Sequence, residues 1–146
     1  MPFRHFRAGV VIVVRRPDGQ VMAFERLDVP GQWQLPQGGL EAAEHPEAAA
    51  WRELAEEAGL GPEHVALVGE HPGWTVYEWP RDVVAGGARL GQVHRWFFFE
   101  PLADSIAATP DGREFGAWKW VEPSWLITQI VPFRRLSYEQ VLGGRA

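Results

Sequence analysis

Residues Phe6 to Val14 read FRAGVVIVV, almost unbroken apolar sequence dominated by β-branched side chains. A strand with one wet face alternates apolar and polar residues, whereas a continuous run like this marks a strand buried on both faces. The chain must therefore place packing elements above and below it. Pro17-Asp18-Gly19 signals a turn, and Gln20 to Arg26 reads as the returning strand. Pro30-Gly31 breaks the chain, and Trp33 to Gly39 (WQLPQGG) is a short, turn-rich segment. Pro46 to Ala58 predicts a helix, with Pro46 at its first position and Gly59 as a left-handed C-terminal cap.

Beyond that helix, Val65 to Glu70, Trp74 to Trp79, Gln92 to Glu100 and Ala117 to Glu122 read as strands, and Gly86-Gly87 as part of a loop. Pro123 to Ile130 and Pro132 to Leu142 read as helices. No repeat, low-complexity tract or long linker divides the chain, so one domain of mixed α and β over 1–146 is expected. No apolar run approaches the roughly 18 residues of a membrane span. The opening Met1 to Arg7 has no signal-peptide h-region, so the expected compartment is the cytoplasm.

Function is concentrated in the helix. Trp51-Arg52-Glu53-Leu54-Ala55-Glu56-Glu57-Ala58 places Glu53, Glu56 and Glu57 within a wedge of roughly 100°. Trp51, Leu54, Ala55 and Ala58 then form the expected core stripe. Three carboxylates on one face repel, and in the second half of a helix the dipole works against them. Such a face is either a solvated acidic surface, the usual case for this spacing alone, or the seat of Mg²⁺ or Mn²⁺, because hard divalent cations take a few carboxylate oxygens and share phosphates. With no cysteine, thiol catalysis and zinc–thiolate sites are excluded. The formal charge of −5 excludes a protein that grips nucleic acid mainly through its backbone phosphates. A polyanionic substrate stays possible where cations intervene.

Gly38, Glu44, Arg52-Glu53-Leu54, Glu56-Glu57 and Gly59-Leu60 stand at the spacings of the Nudix box, which the chain resembles from Gly38 to Leu60. The resemblance implies an α/β/α sandwich with a mixed β-sheet between helices, and Mg²⁺- or Mn²⁺-dependent hydrolysis of nucleoside diphosphates linked to another group. It implies that Glu53, Glu56 and Glu57 are metal ligands, that Arg52 orients one of them, and that Glu44, Gly38 and Gly59 shape the box. One departure is Ala43, where many members carry glycine.

A narrower likeness extends further. Trp33 to Gly39, Gly91-Gln92-Val93-His94-Arg95-Trp96-Phe97, Glu114-Phe115-Gly116-Ala117-Trp118-Lys119-Trp120-Val121 and Val131-Pro132-Phe133-Arg134-Arg135 resemble segments of bacterial RNA pyrophosphohydrolases and diadenosine polyphosphate hydrolases. That subfamily implies a further metal ligand and candidate general base at Glu114; Glu56 and Glu114 both stand as candidates for the base. It implies substrate contacts at Arg7, Arg26, Gly38 and Gly39. Tyr77 and Phe133 are candidates for stacking on a nucleobase, a role set against core packing. The five histidines match no metal spacing and read as surface or structural. No Walker A or Gly-x-Gly-x-x-Gly sequence is present.

The expected activity is phosphoanhydride hydrolysis in dinucleoside polyphosphates such as diadenosine tetraphosphate, or at the 5′-triphosphate end of RNA. The alternatives are a house-cleaning pyrophosphatase for a modified nucleoside triphosphate or nucleotide sugar, and a nucleotide-binding Nudix module without catalysis. Oligomeric state is not legible.

Overall fold

The computed structural model describes residues 5–80 and 89–143; the Gly86-Gly87 loop lies outside them. In chain order the elements are β1 (His5–Val14), β2 (Val21–Arg26), β3 (Trp33–Gln34), β4 (Gln37–Gly39), α1 (Pro46–Ala58), β5 (Val65–Glu70), β6 (Thr75–Glu78), β7 (Arg89–Pro101), β8 (Phe115–Val121), α2 (Pro123–Gln129) and α3 (Pro132–Leu142). Each of the three helices opens with proline at its first turn, where the missing N–H costs nothing. Gly59 closes α1 at φ +67°, its N–H donating to the Ala55 carbonyl at 3.1 Å.

The apolar run forms β1, and Val10 to Val14 are buried whichever face they point to. β1 pairs in parallel with β7 and antiparallel with β4. β5 and β6 lie one after the other, antiparallel, along the far edge of β7. This mixed sheet is joined by a second, antiparallel one in the order β3-β2-β8. Val10, Ile12 and Val14 pack with Phe24, Phe97 and Phe99 against Ala49, Ala50, Leu54 and Ala58 of α1. Val11 and Val13 face the other way, with Leu35 and Trp96, onto Leu126, Ile130 and Tyr138 of α2 and α3. Helices thus cover both faces, giving the α/β/α layering that the resemblance implies.

The WQLPQGG segment is more ordered than its turn residues suggest. It is two short strands on different sheets, joined by Leu35-Pro36. The Ile12 N–H donates to the Pro36 carbonyl at 3.0 Å. The Leu35 N–H donates to the Tyr138 hydroxyl at 3.0 Å, which stations α3 against the crossing. Burial pushes the Tyr138 phenol up to about 12, so it remains a neutral partner. Tyr138→Phe should cost about 1–3 kcal/mol, because it strands a buried amide with no acceptor. Urea unfolding checks this, and an unchanged midpoint would mean that the amide finds another partner.

α1 corrects one expectation. Ala55 is exposed, while Glu53 and Glu57 are only 8% and 6% exposed. The buried face is rotated toward the glutamates because α1 packs beneath the β4 edge as well as over the sheet. Among the described residues no helix is long and apolar enough to cross a membrane.

Candidate metal and phosphate site

Arg52 organises the carboxylates. Its Nε and Nη2 donate to the two oxygens of Glu44, both at 2.8 Å. Nη1 donates to Glu53 at 2.7 Å and stands 3.5 Å from Glu56, and Nη2 also reaches the Gly39 carbonyl at 3.0 Å. One guanidinium therefore ties the loop before α1, two glutamates of the helix and the backbone of β4 together, using its planar fork as a brace. The Arg52 fork on Glu44 holds that carboxyl down at about 2. A carboxyl depressed in the folded state contributes stability present above its ordinary value and lost as pH falls through the depressed one. The stability gap between the native chain and Glu44→Gln should thus be full above about pH 4.5 and vanish near pH 2. Urea titrations across that range test it; a gap independent of pH would remove the ion pair as its cause.

The glutamate loop carries a strain that the sequence flagged only as a departure. Ala43 sits at φ +60°, in a tight turn where the Glu44 N–H donates to the Glu41 carbonyl at 3.0 Å. A Cβ in the left-handed region is strained, and glycine removes that strain while costing some backbone entropy. Ala43→Gly should raise stability by about 0.5–1 kcal/mol, read as a higher thermal midpoint; a lower midpoint would show that the turn tolerates alanine freely.

Glu53 lies under β4. A Cβ on Gly38 would collide with the Glu53 carboxylate, so the glycine leaves room for that side chain. Burial raises the Glu53 carboxyl, with Arg52 opposing and Glu56 and Glu114 adding to the rise. Glu57 accepts the Gln37 N–H at 3.1 Å. Burial first, then the adjoining Glu114 carboxylate, push the Glu57 carboxyl up. The structure therefore brings Glu114, from the loop just before β8, to the helical glutamates. Glu56 and Glu114 face solvent, Glu53 and Glu57 do not.

Among the described residues no three acidic or imidazole side chains already converge into a closed cage. Glu53 is turned toward Arg52, and Glu57 toward the Gln37 amide. The donor set still fits a hard divalent cation. It is all oxygen, it crowds buried carboxylates whose ionised forms are disfavoured, and it is open to solvent on the Glu56 and Glu114 side.

The opposite face of the same sheet edge is aromatic and basic. Gly9, paired with Gly39 on β4 and His94 on β7, has no Cβ to collide with the Gly38 carbonyl and crowd the His94 ring. The Arg7 guanidinium lies against Gly39, where a Cβ would meet it. Tyr77 packs on His94 at 5.7 Å and on Phe133 at 5.6 Å between ring centroids. Arg134 lies over both the Tyr77 and Phe133 rings, at 5.7 and 5.5 Å, and donates to Gln34 at 3.2 Å. The buried Tyr77 hydroxyl donates to Gln92, whose Oε1 also receives the Gln37 amide at 3.4 Å. Burial, with Arg134 and Arg7 nearby, drops the His94 imidazole to about 3, so it is neutral.

The fold brings Glu44, Arg52, Glu53, Glu56, Glu57, Glu114, Gly38 and Gly39 near one another, and gathers Arg7, Tyr77 and Phe133 on the adjoining face. Arg26 stands at the rim beside Glu114, its guanidinium forked onto Asp28 at 2.9 and 2.6 Å. Arg134, His94, Gln37 and Gln92 escaped notice. Each lies in a segment quoted for its resemblance, but only the pairing of β4, β1, β7 and β6 gathers them.

The family model described as the NUDIX domain matches residues 5–141. An RNA pyrophosphohydrolase of Rhodospirillum rubrum is 44% identical over 143 residues, covering 94% of this chain and 85% of the relative. An RNA pyrophosphohydrolase of Zymomonas mobilis is 41% identical, covering 94% and 92%. Among solved structures, an E. coli dihydroneopterin triphosphate pyrophosphohydrolase superposes with a TM-score of 0.73 at 21% identity, over 97% of this chain and 98% of its own. That last likeness speaks for the fold. A match this long, joined to relatives above two-fifths identity along nearly the whole length, means that the chain belongs to the Nudix family.

Proposed function

We propose that this Nudix hydrolase removes phosphate from the 5′-triphosphate end of RNA, with dinucleoside polyphosphates such as diadenosine tetraphosphate as the second substrate class. As a member of the family it hydrolyses phosphoanhydride bonds of nucleoside polyphosphates. Hydrolases of this family need divalent metal ions; we assign Mg²⁺, or Mn²⁺, to this chain. The observation that carries the proposal is the pairing of a carboxylate face with an arginine–aromatic face across one sheet edge, in a chain 44% and 41% identical to two RNA pyrophosphohydrolases.

Glu53, Glu56, Glu57 and Glu114 would hold the cations, with Arg52 orienting Glu53 and Glu56. Bound divalent cations neutralise phosphate oxygens and acidify the attacking water. Arg7 and Arg134 would receive the polyphosphate, each as a bidentate fork. Phe133, half-buried under Arg134, offers a surface for a base, while Tyr77 supports it from below. Glu56 and Glu114, the two solvent-facing carboxylates, are the groups able to take a proton from the attacking water. We take residues 1–146 as one catalytic domain and the cytoplasm as its compartment.

The test offers 5′-triphosphorylated RNA and diadenosine tetraphosphate at equal concentration with Mg²⁺, and Glu56→Gln as control. Faster release of phosphate or pyrophosphate from RNA is expected. Faster cleavage of the dinucleotide would reverse the assignment, and turnover of neither would leave only the family-level activity.

A further inference from the structure

Glu114 is exposed, on a loop, and outside the glutamate helix. Its place beside Glu57 therefore depends on how its backbone is held. Asp111 Oδ1 accepts three backbone N–H groups, those of Arg113, Glu114 and Phe115, each at 3.0 Å. Gly112 adopts φ +73°, and its N–H donates to the Phe115 carbonyl at 3.0 Å. On the other side, the Leu27 N–H donates to the Glu114 carbonyl at 2.9 Å. Both main-chain polar groups of Glu114 are thus committed, the amide to Asp111 and the carbonyl to the loop after β2.

We infer that Asp111 is a positioning residue: its carboxylate fixes the Glu114 backbone and so keeps the Glu114 side chain beside Glu57 and Glu53. Asp111 acts only through Glu114, and the inference rests on Glu114 belonging to the metal-ligand set. The physical gain is entropic. A ligand carried on an unanchored loop must be ordered at the moment of binding, and that cost subtracts from affinity. Three amides converging on one ionised oxygen are strong enough to order the loop beforehand.

The experiment measures Mn²⁺ affinity of the full chain by electron paramagnetic resonance, without substrate. The variants are Asp111→Ala, Asp111→Asn, Gly112→Ala, Glu114→Gln and the double variant Asp111→Ala/Glu114→Gln. Asp111→Ala should weaken Mn²⁺ binding by about tenfold, the low end for loss of a group that orients a ligand. Asp111→Asn keeps the acceptor oxygen and should retain most of the affinity. Gly112→Ala has open space for its methyl but a φ that strains an alanine, so it should weaken binding in the same direction without touching the carboxylate. In the Glu114→Gln background Asp111→Ala should add nothing, which a merely structural role would not produce. Equal loss in both backgrounds would overturn the inference, as would native affinity in Asp111→Ala while Glu114→Gln binds weakly. Native affinity in Glu114→Gln itself would overturn it differently, by removing Glu114 from the ligand set.

Discussion

Glu57→Gln should fold, melt no lower than the native chain, and lose at least about a hundredfold in kcat/KM. The glutamine keeps the shape of the side chain and an oxygen for the Gln37 N–H, now at 3.1 Å. What disappears is the charge. At neutral pH that charge is unwelcome in the folded chain: burial and Glu114 raise the Glu57 carboxyl above its ordinary value, so the metal-free fold holds a proton there that the unfolded chain has released, at a cost in stability. A carboxyl raised in the folded state resists ionisation, so its cost grows as pH rises above the unfolded value. Removing it cannot lower stability on that account. The same charge, buried under the β4 edge, is the strongest candidate to hold a cation near the phosphates. Pyrophosphate release measured at low and high Mg²⁺ separates the cases. Full turnover at low Mg²⁺ would end the ligand assignment, while loss of both turnover and melting temperature would mean that Glu57 is a packing residue.

Gly38→Ala should be nearly as damaging, for a steric reason. The new methyl would occupy the space of the Glu53 carboxylate. Relief is limited on both sides, since Gly38 is pinned to Val10 in the sheet and Glu53 is buried under it and bonded to Arg52. Such overpacking costs about 1–3 kcal/mol, and the side chain that must yield is a proposed ligand. Activity should fall by about a hundredfold if the displaced Glu53 holds metal. Gly39→Ala is the internal comparison. The atoms nearest its methyl belong to the guanidinium of Arg7, an exposed and flexible side chain, so stability should barely change. Equal effects at the two glycines would mean that the backbone of β4, and not the room it leaves for Glu53, decides the outcome.

Much of this was legible along the chain because the interactions concerned are local or periodic. The bounds of α1 followed from Pro46 and Gly59, and the central strand from an apolar run that only a doubly covered position satisfies. Spacing also marked Glu53, Glu56 and Glu57 as one charged face, and likeness to a family singled out Glu114. Spacing could not show that Glu53 and Glu57 are buried and Glu56 is not, since burial depends on where β4 crosses the helix. Nor could it split WQLPQGG into two strands on two sheets, because Leu35-Pro36 crosses between them on bonds to Tyr138 and Ile12, far away in sequence.

The sequence by itself determined the layered α/β class, the glutamate helix and the family. The tertiary structure alone decided the depth of each carboxylate, the meeting of Glu114 with Glu57, and the gathering of Arg7, Tyr77, His94, Phe133 and Arg134 on the far side of β4. Helical and strand periods are written residue by residue, whereas those meetings depend on the register between strands distant along the chain, which only the packed fold sets.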